Sequence, residues 1–94
     1  MAMIAGGFNA NERVLQAELL FHQAVTHCER GDWEAALSVV EKALELEKRV
    51  AFLERRALIL ERLCRLEDAM LARREAAALA EQVRVWDLEE VLEF

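Results

Sequence analysis

Apolar residues return every three or four positions along most of this chain, and the breaks in that rhythm divide it into short amphipathic helices. Val14, Ala17, Phe21, Ala24 and Cys28, with Leu20 beside them, form one stripe that runs to Arg30. Asn9 or Asn11 stands ahead of it as a cap, because an Asn side chain accepts hydrogen bonds from the first free backbone N–H groups. Phe8 is placed to dock back as a staple, and residues 1–10 read as a flexible arm. Gly31-Asp32 predicts both a stop and a start. Glycine takes the left-handed conformation beyond the last turn, and aspartate caps the next N-terminus. The second helix is expected from Trp33 to Glu47, with Ala36, Leu37, Val40, Ala43 and Leu44 facing inward.

The remaining breaks are less plainly marked. Lys48-Arg49-Val50 contains neither glycine nor proline, so only the spacing of the pattern places a turn there, and an unbroken rod through residues 33–64 is the alternative. A third helix over Ala51 to Leu63 offers Leu53, Ala57, Leu60 and either Leu63 or Cys64. The turn at Cys64-Arg65-Leu66 again lacks glycine. A fourth helix from Glu67 to Gln82 carries a small-residue surface built on Ala69, Met70, Ala72, Ala76, Ala77, Leu79 and Ala80. Val83 to Phe94, apolar at Val85, Trp86, Leu88, Val91, Leu92 and Phe94, reads as a short capping helix, which makes about five helices in all.

The pattern also repeats. Gly31-Asp32-Trp33-Glu34-Ala35-Ala36-Leu37 returns in weaker form as Cys64-Arg65-Leu66-Glu67-Asp68-Ala69-Met70, a spacing of 69 − 36 = 33 residues. That is close to the roughly 34-residue period of a helix-turn-helix repeat. Leu20, Ala24, His27, Ala36, Val40 and Ala43 in the first unit, and Leu53, Ala57, Leu60, Ala69 and Ala76 in the second, resemble the tetratricopeptide repeat family over residues 17 to 82. Gln23 and Arg56 take the place of that family's leucine, Arg73 that of its second-helix aromatic, and Lys48 and Glu81 that of its terminal proline.

The resemblance implies an all-α single domain over residues 1–94: tandem antiparallel hairpins at 11–49 and 50–82, closed by the capping helix at 83–94. It also implies a concave face lined by the first helix of each hairpin. Glu18, Phe21, His22, Val25, Cys28 and Glu29 would stand on that face from one unit, and Ala51, Glu54, Arg55, Leu58, Glu61 and Arg62 from the other. Phe21 and Val25 replace the Lys/Asn set with which some relatives clamp a C-terminal carboxylate, so the expected ligand is an apolar or amphipathic segment, a helix laid in the groove.

Composition fits a helical protein: of 94 residues, 55% are hydrophobic and 32% charged, with no proline and three glycines. The net charge of −6 is uneven, since residues 48–84 hold nine Lys/Arg against six Asp/Glu while residues 85–94 hold four acids and no base. Acids stand on turns neighbouring the arginines, which favours i,i+4 pairing over a phosphate-binding stripe and argues against nucleic acid. No apolar run is long enough to span a bilayer, and no basic leader opens the chain, so a soluble cytoplasmic protein that does not bind membranes is expected.

Candidate chemistry is sparse. His22 and His27 are five apart, off the spacing of a helical metal pair, and neither has a nucleophile and an orienting carboxylate at convincing spacing. No catalytic residue, cofactor or metal is therefore expected. His27 reads as a packed structural residue, Cys28 and Cys64 as buried free thiols, and Trp33 as core. Arg55, Arg56, Arg62, Arg65, Arg73 and Arg74 read as a solvated face paired with Glu54, Glu61, Glu67 and Glu75, although Arg55 and Arg62 would suit acids flanking a partner's apolar anchor. The expected partner-binding set is Phe21, His22, Val25, Cys28, Arg55, Leu58, Arg62 and Trp86. It belongs to a protein-binding adaptor or chaperone. The alternative is a self-associating architectural homodimer with no separate client, built on the Ala-rich fourth helix and the apolar tail.

Overall fold

A computed structural model describes residues 10–92, with side chains through residue 85. The expected arm at 1–10, Phe8 and the Asn9 cap fall outside the described residues apart from Ala10, which already opens the first helix. Four helices make up the described chain, with no strand among them: α1 (Ala10–Glu29), α2 (Trp33–Leu46), α3 (Val50–Arg62) and α4 (Leu66–Leu92). Asn11 lies inside α1 and is not its cap. The chain divides into two compact units, Met1–Lys48 and Arg49–Phe94, with α1 packed on α2 in one and α3 packed on α4 in the other.

The first unit turns through residues 30–32. Gly31 has φ +80°, its N–H donates to the Cys28 carbonyl at 3.0 Å, and the Asp32 N–H donates to the His27 carbonyl at 2.9 Å. This pair of bonds is the Schellman arrangement, which satisfies carbonyls that the end of α1 would leave without partners. The expected Asp32 side-chain cap is absent. At φ −86° and ψ 71° the residue departs from the extended geometry of a cap, and its carboxylate lies 4.0 Å from His27 Nδ1 instead. The core of this unit is small on one side and larger on the other. Buried residues on α1 are Ala17, Ala24 and Cys28, and on α2 they are Ala36, Leu37, Val40 and Ala43.

Between the units α2 ends at Leu46, and the backbone runs extended at Glu47 (φ −145°, ψ 129°) and again at Arg49 (φ −126°, ψ 147°). The rod through residues 33–64 is thereby excluded. Two residues in β-type geometry interrupt the helical ladder without glycine or proline.

The second unit turns by the same hydrogen bonds. The Cys64 N–H donates to the Glu61 carbonyl at 3.0 Å and the Arg65 N–H to the Leu60 carbonyl at 2.9 Å, with Cys64 at φ 62°. Cys64 therefore does what Gly31 does, 64 − 31 = 33 residues later, in a conformation that opposes its Cβ to the carbonyl oxygen. It is exposed, which corrects its expected burial. On α3, Phe52, Leu53, Ala57, Ile59 and Leu60 are buried; among the side chains of α4 described through residue 85, Ala69, Ala72 and Ala76 are. Phe52 and Ile59 lie off the single stripe anticipated for α3, so that helix buries a wider arc than its sequence pattern suggested.

α4 differs most from expectation. It continues for 27 residues to Leu92, so residues 83–92 extend the fourth helix and form no separate cap. Gln82 and Val83 offer no helix breaker at the expected boundary. At 1.5 Å per residue α4 is about 40 Å long against about 20 Å for α3, so its second half has no counterpart in α3 to pack against. Among the side chains described through residue 85, the last buried one is Ala76, and residues 81–85 are all exposed.

Candidate functional site

The outer surface of α1 carries most of the expected contact residues of the first unit. Phe21 and Val25 are half-buried at the edge of the helix's packed face, and His22 is exposed beside them. The Phe21 and His22 rings tilt at 58° with centroids 6.4 Å apart, and the Thr26 hydroxyl donates to the His22 carbonyl at 3.0 Å. Cys28 is buried on the core face and cannot contact a partner, because its 3.6-residue phase matches Ala17 and Ala24 more closely than Val25. Two residues missed by the sequence reading complete the surface. Leu15 and Leu19, one turn apart, are 64% and 58% exposed. Their i,i+4 spacing was readable, but they fall outside the strongest stripe.

On α3 the face opposite the core holds Ala51, Arg55, Leu58 and Arg62, with Leu58 half-buried between the two arginines. Arg49, just ahead of the helix, places its guanidinium carbon 5.4 Å from the Phe52 ring centroid. The arginines are largely occupied inside their own unit. Arg73 donates from Nε and Nη2 to Glu61 Oε2 at 3.0 and 2.6 Å, tying α4 to α3. Arg65 donates likewise to Asp68 Oδ2 at 3.2 and 3.0 Å. These exposed pairs fit the solvated, ion-paired face.

His27 Nδ1 is buried without a hydrogen-bond partner, since the Asp32 carboxylate at 4.0 Å is beyond hydrogen-bond reach. Its place in the second unit is taken by Leu60, 60 − 27 = 33 residues on, which is fully buried. The imidazole thus stands where the other unit buries a leucine, with its side chain 31% exposed. Trp33, expected in the core, is half-buried. Trp86 lies on α4, with its side chain outside the described residues.

Apolar surface is also prominent on α4, at Leu66 (61% exposed), Met70 (55%), Leu71 (56%), Val83 (43%) and Val85 (42%). Met70 and Ala77, expected among the small packed residues, are exposed. Open depressions follow this helix. One of about 550 Å³ is lined by Arg56, Asp68, Leu71, Arg74, Glu75 and Ala78, and one of about 370 Å³ by Ala78, Glu81, Gln82 and Val85. Among the described residues no three His, Cys, Asp or Glu side chains gather to hold a metal ion, and no helix is long and apolar enough to cross a membrane. No family model, curated protein or solved structure matches the chain.

Proposed function

We propose that this chain is a non-catalytic, cytoplasmic protein-interaction module of tetratricopeptide-like build, an adaptor or chaperone that takes an apolar or amphipathic segment of another protein on the exposed face of α1. The observation that carries the reading is the pair Leu15 and Leu19, large apolar side chains more than half exposed on consecutive turns of α1. Such residues are costly to leave in water and are the anchors by which an amphipathic helix is held. Phe21 and Val25, each six positions on from one of these leucines, lie about a third of a turn round the helix, with His22 between the two pairs. On α3, Leu58 between Arg55 and Arg62 gives a smaller apolar spot with a basic border, suited to a segment whose anchor is flanked by acids. The 33-residue recurrence of the turn hydrogen bonds and of the buried alanines supports the repeat reading.

The test is capture from a cell lysate with the purified chain, identification of the bound protein by native mass measurement, and titration of the captured segment. The Leu15→Ser/Leu19→Ser variant should weaken that affinity about tenfold or more, while leaving helicity and thermal stability nearly unchanged, because both side chains are already exposed. A segment that binds the double variant as tightly as the parent would refute the assignment of α1.

A further inference from the structure

Leu71, Ala78 and Val85 recur every seven residues along α4, on the side of the helix away from Ala69, Ala72 and Ala76. This face is not inherited from the repeat. The matched positions of α2, 33 residues earlier, are Ser38 for Leu71 and Glu45 for Ala78, both exposed and polar as a solvent face should be. α4 keeps the exposure and replaces the polarity. Because the helix also continues far beyond the span of α3, the stripe runs along a segment that its own hairpin does not cover.

We propose that this stripe pairs with the same stripe of a second copy of the chain, antiparallel, across a two-fold axis near residues 81 and 82. Charge selects this occupant. The sequence of the end of α4 holds Asp87, Glu89 and Glu90, with no base in the last turn to offset the negative end of the helix dipole. Arg73 and Arg74 stand nearly four turns earlier. Antiparallel pairing about residues 81 and 82 sets position 78 against 85 of the second copy and position 74 against 89, since 78 + 85 = 74 + 89 = 163. Apolar meets apolar, and arginine meets the acidic end, twice per dimer by symmetry. A parallel pair would set acid against acid. The proposal goes beyond the client-binding reading and uses none of the residues that reading assigns to a client.

Sedimentation equilibrium of the full chain, with helicity followed by circular dichroism, tests this. The parent should show a concentration-dependent dimer, Val85→Glu should be a helical monomer, and Arg74→Glu and Glu89→Arg should each weaken the dimer about tenfold. Mixing those two charge variants should restore a heterodimer near parental affinity, because every 74–89 contact is then again between opposite charges. A parent that stays monomeric at all concentrations overturns the proposal, and so does a dimer that ignores the charge variants or fails to recover on mixing. Neither result bears on client capture by α1.

Discussion

The two helix pairs, α1 with α2 and α3 with α4, share a turn and a set of buried alanines, yet they bury their large side chains on opposite helices. Ala24 and Ala57, Ala36 and Ala69, Ala43 and Ala76 are buried in both. Leu37 and Val40 of α2 are buried, while their counterparts on α4 are Met70, 55% exposed, and Arg73, paired with Glu61. The first helices reverse this: Phe52 and Ile59 are buried on α3, while their counterparts Leu19 and Thr26 are exposed on α1. The middle of the chain therefore holds the large core residues, and among the described residues α1 and α4 bury small ones. A repeat fixes where backbones approach closely. What covers the flanks of each helix is decided elsewhere.

The sharpest way to break the comparison is at matched positions with unlike residues. Leu60→Ala removes a fully buried leucine and should cost about 2–5 kcal/mol in urea denaturation. His27→Leu, the same position in the first hairpin, should leave stability unchanged or raise it by about 1 kcal/mol, since it removes a buried nitrogen with no partner. A loss of 2 kcal/mol or more in His27→Leu would mean that the imidazole makes a contact its leucine counterpart cannot replace.

The turns give a smaller effect of opposite sign. Gly31→Ala should destabilise by about 1 kcal/mol through backbone strain alone, because a Cβ there would meet nothing within 4 Å. Cys64→Gly should stabilise by up to about 1 kcal/mol, a rise of roughly 4–8 °C in melting temperature, with the greater freedom of glycine in the unfolded chain offsetting part of the gain. If both substitutions shifted the midpoint in the same direction, the two turns would not be equivalent. Smallest of all, Arg73→Ala should cost about 0.2–1 kcal/mol, less at high salt, as an exposed ion pair should. Thermal melts in low and high salt check that.

Much of this was legible beforehand because it is local. The Gly31 stop, the α2 core of Ala36, Leu37, Val40 and Ala43, and the 33-residue return of small residues follow from conformational preference and helical period. The break at residues 47–49 was legible only through spacing, since no residue there forbids a helix. Two misjudged features share one cause. A core thiol at Cys64 and a separate capping helix over 83–94 both follow from equating residue type with environment. Cys64 is a small hydrophobe by chemistry, but hydrogen bonds to the preceding turn fix its backbone, and an unbroken run of helix formers stayed one helix. Of the surface proposed for a partner, Phe21, Val25 and Leu58 follow from the period, whereas Leu15 and Leu19, spaced one turn apart outside the main stripe, do not belong to the repeat-based projection.

By itself the sequence determined the all-helical class, the small residues where paired helices approach closely and the 33-residue recurrence, because these depend on interactions within a few turns of chain. Only the tertiary structure decided which of two matched positions lies in the core and which in water, since burial depends on what packs against a helix face and a repeat period says nothing of that neighbour.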